Sequence, residues 1–281
     1  MMKNILIIAL IFLASCNSNK QQTELKVMTY NIRLDVKSDA ENQWANRKDF
    51  LLSQIKFYEP TVFGTQEGRP NQIEDLTNGL KNYNYIGHGR DGANKGEYSA
   101  IFYDKTKVKF SNVNTFWLSE TPEKMSLGWD ASYPRICTYG LMTVLNSDEK
   151  IWVFNTHLDH KGAEAQLKGM ELIETEIKKV NTQNYPVILT GDFNVEPNSK
   201  LISKLKANFN DTKELANTNV FGSDGTFNGF KFHEPITRRI DYIMISKNAN
   251  LEIKKYAVLT DSKDLKYPSD HFPVFVQIQL N

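Results

Sequence analysis

Hydrophobic and polar residues alternate along most of this chain in short runs broken by turn-forming residues. A period of two predicts strands at 25–30, 61–66, 83–87, 99–103, 108–118, 137–145, 150–156, 239–246, 251–259 and 272–279. Residues 186–190 form a continuously apolar run, the kind buried on both faces of a sheet. Helical spacing is rarer. It appears at about 44–58, where Phe50, Leu51, Ile55 and Tyr58 share a stripe, and at 71–80. It is clearest at 162–180, where Leu167, Met170, Ile173, Ile177 and Val180 recur every three or four residues.

Many strands and about four helices, in mixed order, predict two packed β-sheets with helices outside. The middle of the chain reads as consecutive hairpins, which fits a single parallel βαβ sheet less well. Strand ends between two packed sheets would converge on one rim, and that is where the polar motifs fall. No repeat or long linker divides residues 24–281, so they read as one domain.

Composition changes this picture little. With 281 residues, 40% hydrophobic and 24% charged, the chain is ordinary for a globular protein. A formal net charge of +1 gives no broad field for nucleic acid or an anionic membrane. The N-terminus differs from the rest. Lys3 precedes an apolar run at 5–13 with the length of a signal-peptide core, too short to span a bilayer comfortably. Leu13-Ala14-Ser15-Cys16 resembles a bacterial lipobox, which implies cleavage before Cys16 and lipid on its thiol. Residues 1–15 are thus expected to be a signal peptide and 16–23 a lipidated tether. The protein would then sit, as a monomer, lipid-anchored in a bacterial cell envelope. Of the two cysteines this leaves Cys137, in an apolar segment, as a buried small hydrophobe.

Phosphate loop, HExxH, GxSxG and GxGxxG motifs are all missing. Oxygen ligands at strand ends take their place: Asn31, Glu67, Asp192, Asn194, Asp241 and Asp270, accompanied by His157 and His271. Such donors suit Mg²⁺, Mn²⁺ or Ca²⁺ better than zinc. They also match what hydrolysis of a phosphate ester requires. Glu67 and Asn31 would hold the cation and Asp192 would act as base. Asn194 and His157 would hold the phosphate, and Asp241 would polarise His271. Two other uses remain open for these residues: Asp192 with Asn194 would also suit an Asx turn, and Asp241 would suit pairing with Arg238 or Arg239.

Six segments in order carry a resemblance. They are Met28-Thr29-Tyr30-Asn31-Ile32-Arg33, Thr65-Gln66-Glu67, Asn155-Thr156-His157-Leu158, Gly191-Asp192-Phe193-Asn194, Arg239-Ile240-Asp241-Tyr242 and Ser269-Asp270-His271-Phe272-Pro273-Val274. The sequence resembles the endonuclease/exonuclease/phosphatase superfamily, related to pancreatic deoxyribonuclease, abasic-site endonucleases, inositol-polyphosphate 5-phosphatases and neutral sphingomyelinases. The resemblance implies a four-layer α/β/β/α sandwich of two mixed sheets flanked by helices. It implies Glu67 as principal Mg²⁺ ligand, supported by Asn31 and Asp270. Asp192 and Asn194 would position water and bind the scissile phosphate, and His157 would contact it. His271, oriented by Asp241, would be general base or transition-state stabiliser, and the sequence leaves open whether it or Asp192 takes the proton. Glu97 stands where related enzymes keep a glutamate that partners the first histidine, and His160 where some carry a second one.

Arg135 is a candidate for holding an anionic substrate. Trp44 and Trp129 lie among polar residues and are expected at the rim, while Trp117 alternates with apolar neighbours and is expected in the core. Residues 119–134 read as a substrate-facing loop, and His88 and His233 as exposed loop residues. Near-neutral charge favours a small phosphorylated metabolite, sugar phosphate or lipid headgroup as substrate. Nucleic acid is the alternative, to be revived by a basic surface near Arg135, Lys161 and Arg238. A surface-anchored binding protein without catalysis would lack metal or base residues, and here all are present.

Overall fold

The structure, a computed structural model, describes residues 23–281. The expected signal peptide and the lipidation site at Cys16 lie outside the described residues.

Alternation along β1 (Glu24–Asn31) divides its side chains between two layers. Leu25 and Val27 enter the space between two sheets, while Met28 and Tyr30 face outward under helices. The first sheet has seven strands. In spatial order they are β10 (Val220–Gly222), β12 (Leu251–Val258), β13 (Val274–Leu280), β1, β2 (Val62–Gln66), β4 (Ile101–Asp104) and β3 (Tyr83–Ile86). The second has six: β5 (Val108–Trp117), β6 (Ile136–Val144), β7 (Lys150–His157), β8 (Val187–Asp192), β11 (Asp241–Ser246) and β9 (Phe209–Asp211). Both are mixed, with parallel pairs at β1–β2, β10–β12 and β7–β8. Val27, Val62, Val153, Ile188, Ile243 and Val276 fill the core between them.

Helices cover the outer faces, as the spacing predicts. The helix α1 (Trp44–Tyr58) and α2 (Pro70–Gly79) lie over the first sheet, burying Leu51, Ile55, Ile73 and Leu76 against Met28 and Phe63. The longest helix, α3 (Ala163–Val180), lies over the second with Met170, Ile173 and Ile177 inward. The expected stripe on α1 is corrected in one respect. Phe50 is only half-buried, and Trp44, Arg47 and Gln54 share the buried face with Leu51 and Ile55. Periodicity of apolar residues alone misses this because two of the inward positions are polar. Four short elements also escaped the spacing: α4 (Lys200–Leu205), β9, α5 (Thr212–Leu215) and β10, each too short to display a period.

Register sets up one rim. Parallel pairing places His157 beside Asp192, and antiparallel pairing places Asp192 beside Asp241, so the three share a row across β7, β8 and β11. In the facing sheet Asn31 pairs with Gln66 at the same end, one residue before Glu67. A polar network joins the sheets just below. Asn155 Nδ2 donates to the carbonyls of Thr65 (2.9 Å) and Ala100 (3.0 Å), and its Oδ1 accepts from Gln66 Nε2 (2.7 Å) and Thr190 Oγ1 (3.1 Å). Gly64 lies so close that a Cβ there would sit 2.3 Å from Asn155 Oδ1.

Candidate active site

Asn31, at the end of β1, is the buried hub of this rim. Its Nδ2 donates to Glu67 Oε1 and to Asp192 Oδ2, each at 3.0 Å, and its Oδ1 accepts from the Arg33 backbone. Glu67 follows β2 with a left-handed backbone (φ 66°), as does Asn194 after β8 (φ 55°). That conformation is costly for a glutamate, and strain of this kind collects at functional sites. Here it turns the carboxylate into the cleft, where Oε2 accepts from the Leu34 amide at 3.0 Å. Arg47 holds the surrounding loops from beneath, donating to the carbonyls of Ile32, Arg33 and Pro268.

His271 sits 4% exposed with Nδ1 2.9 Å from Asp241 Oδ2 and Nε2 3.7 Å from Asp192 Oδ2. Asp241 thus faces His271, while Arg239 is taken by a buried pair with Asp211. Asp192 Oδ1 accepts from the Asn194 amide at 2.9 Å. Asn194 Nδ2 lies 3.0 Å from His157 Nε2, which is also 3.4 Å from Asp192 Oδ2. The structure therefore brings Asn31, Glu67, His157, Asp192, Asn194, Asp241, Asp270 and His271 to one floor.

Electrostatics here are those of crowded carboxylates. Burial, then repulsion from Asp241, pushes Asp192 up to about 7. Burial, with Glu67 adding to it, lifts Asp270 to about 6. For Glu67 burial opposes the charge but is outweighed by His271, Asn31 and the Leu34 amide, leaving it below the usual range. His271 is disfavoured as a cation by burial, yet Asp241 and Asp192 hold it up at about 10. For His157, burial together with Arg135 keeps it well below the ordinary value.

This excess of negative charge, and a buried Asp241 Oδ1 without a partner, fit a divalent cation. Two donor sets adjoin. Asp192, Asp241 and His271 have ligand atoms within 4.8 Å of one another, and Glu67 and Asp270 line the cleft beside them with Asn31 buried behind Glu67. All three of the latter's side chains offer oxygen.

The raised values have one sign. Folded Asp192 and Asp270 bind protons more tightly than the unfolded chain, so the metal-free fold loses stability as pH rises from about 4 through 7. His271 adds stability that is present below about 6.5 and lost as pH passes about 10. A cation that replaces those protons must stabilise more where they are absent. Saturating Mg²⁺ is expected to raise Tm more at pH 8 than at pH 5.5, and equal shifts at both would contradict a cation among these carboxylates.

The floor opens into a cleft of about 540 Å³ whose walls carry Arg33, Arg69, Arg90, Arg135, Arg238, Tyr133, His160 and Phe227. Arg135 is buried and faces the cleft, with Nε 3.4 Å from Asp159 Oδ2 and one terminal nitrogen 3.3 Å from His160 Nδ1. Four expectations need correction. Trp44 is 2% exposed at the start of α1, where its Nε1 donates to Asp75 of α2, so it lies away from the rim. Trp129 is half-buried beside Glu120 and is not part of the cleft lining. Glu97 does line the cleft, but its partner is Arg90 at 2.7 Å; His157 instead meets Asn194 and Asp192. His88 is half-buried against the Trp117 ring, unlike exposed His233. Of the 119–134 loop, Tyr133 reaches the cleft. Sequence reasoning missed Tyr133 and Arg90, which no motif marks, although Tyr133 stands two residues before the singled-out Arg135.

Two sheets sharing a rim of metal-suited carboxylates, amides and a carboxylate-paired imidazole define a phosphohydrolase. The model of the endonuclease/exonuclease/phosphatase family matches residues 28–271, and the chain belongs to that family, whose members hydrolyse phosphoric esters. It is similar to an endonuclease/exonuclease/phosphatase family protein of Bacteroides thetaiotaomicron, 36% identical, with a TM-score of 0.88 over 93% of this chain and 96% of the other. It is similar also to a mannosyl-6-phosphatase of the same species, 36% identical, with a TM-score of 0.85 over 90% of this chain and 99% of the other. TDP2 of D. rerio, solved with a single-strand DNA product, is 19% identical with a TM-score of 0.70 over 91% and 99%, a likeness of fold. Family enzymes are generally divalent-metal dependent, in accord with the donor set here.

Proposed function

We propose that the protein is a Mg²⁺-dependent phosphatase of a small sugar phosphate. The observation that carries this reading is the size of the cleft above the carboxylate floor. At about 540 Å³ it has the size of a small-molecule site. Its cationic wall is also less cationic than it looks. Arg33 is tied to Asp39, Arg90 to Glu97 and Arg135 to Asp159, so three of the five arginines lining it are already paired. A phosphate-backbone track needs unpaired charge. The likeness to a mannosyl-6-phosphatase over nearly the whole of both chains supports a hexose phosphate.

In this reading Glu67, Asn31 and Asp270 would hold Mg²⁺, which would neutralise the charge on phosphoryl and leaving-group oxygens. Asn194 and His157 hold the phosphoryl group. Asp192 aligns a water for in-line attack and takes its proton. The phosphorus–oxygen bond to the sugar breaks as the water oxygen bonds to phosphorus; the sugar oxygen leaves with the bonding pair and takes a proton from solvent, and the proton on Asp192 returns to solvent. His271, its Nδ1 fixed by Asp241, directs Nε2 at the developing charge. The proposal includes export and a lipid anchor at Cys16, supported by Lys3, the apolar run and the lipobox-like sequence. It also includes a monomer. Substitution Cys16→Ser moving the protein from membrane to soluble fractions tests the anchor.

With Mg²⁺, mannose 6-phosphate is expected to be hydrolysed with kcat/KM at least about a hundredfold above that for plasmid DNA or a bis-aryl phosphodiester, and EDTA should abolish the activity. Faster cleavage of DNA than of any sugar phosphate would overturn the assignment.

A further inference from the structure

One wall of the cleft is built but takes no part in the chemistry described so far. Tyr133, in the loop before β6, is 51% exposed at the cleft. Its ring is parallel to that of His160, with centroids 6.0 Å apart and planes 18° from coincidence. The Arg90 guanidinium lies 5.1 Å from the Tyr133 centroid. Arg90 in turn grips Glu97 through both nitrogens of its fork, at 2.8 and 2.7 Å, and its Nε is buried without a partner. An Arg135 nitrogen 3.3 Å from His160 joins this wall to the floor beside His157.

Resting on the sugar-phosphatase reading, we infer that Tyr133, His160 and the Arg90–Glu97 pair form the subsite that binds the pyranose ring of a hexose 6-phosphate. Half of the Tyr133 surface stays open to the cleft beside the His160 ring and the Arg90 guanidinium, and that apolar ring surface suits the C–H groups of a pyranose. The salt bridge beside it presents N–H donors and carboxylate acceptors side by side. A vicinal diol donates and accepts at adjacent oxygens and is the complement of that edge. A second phosphate fits worse. Glu97 cancels the charge of Arg90 and would repel an anion, and Asp159 does the same beside Arg135. The two ends of the cleft therefore select different chemistry: phosphoryl at the floor, hydroxyls at the wall.

The test compares mannose 6-phosphate with phenyl phosphate, whose leaving group carries no vicinal hydroxyls, in the full chain and its variants. Tyr133→Ala and Glu97→Gln are each expected to lower the ratio of kcat/KM for mannose 6-phosphate over phenyl phosphate about tenfold. Tyr133→Phe, which keeps the ring, should stay within about twofold of the original ratio. Mannose alone should inhibit phenyl phosphate hydrolysis in the original protein and much less in Tyr133→Ala. An unchanged ratio in both variants overturns the subsite while leaving the phosphatase intact. Equal losses on both substrates also overturn it, because they place these residues in the chemistry or the fold. Preference for a hexose bisphosphate would do so too. Failure of the original protein to cleave any hexose phosphate overturns the functional reading and the subsite with it.

Discussion

Asp192→Asn is expected to lower kcat by about a thousandfold with the fold intact, the middle of the range for a lost general base. The substitution changes charge but almost no volume. Asp192 is 1% exposed and accepts from two donors, Asn31 Nδ2 and the Asn194 amide. An asparagine oxygen still accepts from one of them, while its NH2 cannot take a proton from water. KM should move far less than kcat, because the residue acts on water and Asn194 and His157 hold the phosphoryl group. Steady-state kinetics on a sugar phosphate with circular dichroism as a fold control decides it. A loss below tenfold would mean that the proton goes elsewhere, with His271 the alternative the sequence left open.

A comparable effect on stability is expected from Asn155→Ala. Asn155 is wholly buried between the sheets and its amide makes four hydrogen bonds, to Thr65, Ala100, Gln66 and Thr190. Gln66 and Thr190 keep second partners in Thr29 and the Phe154 carbonyl, so part of the network survives. What remains is lost burial plus unsatisfied groups in a buried interface, together about 3 kcal/mol. Urea denaturation should show a lower midpoint at unchanged slope. A loss under about 1 kcal/mol would show that the sheets meet without this bond set.

Most of the architecture was legible because alternation and helical spacing are direct consequences of burial on one face. The α3 helix and the buried β8 run emerge within a residue or two of their observed ends. The floor was legible for another reason: its residues stand at strand ends, where short motifs record them. Trp44 shows where such reading fails. Its sequence neighbours are polar, but on a helix adjacent residues point apart, and its own face is shared with Leu51 and Ile55. Asp75, 31 residues away, supplies the indole's partner and is invisible from the local pattern. Glu97 fails differently. A positional analogy located it in the cleft, yet Arg90, seven residues earlier, takes its carboxylate. The wall residues Tyr133 and Arg90 belong to loops, whose chemistry follows from tertiary placement.

The position of β13 bears on when this enzyme becomes one. It is the last strand in sequence but lies inside its sheet, pairing β1 on one side and β12 on the other. Its contact with β1 joins Glu24 to Gln279, so most of the chain separates the partners. Such long-range pairing is slow to nucleate. A growing polypeptide that already contains every residue of the floor, through His271, still has β1 and β12 apart. β13 begins three residues after His271 and pairs β1 at Thr29, and that pairing carries His271 to within 3.5 Å of Asn31. Pairing of β13 with both neighbours is therefore a condition of catalysis, and a chain truncated before Val274 should be inert with its active residues all present.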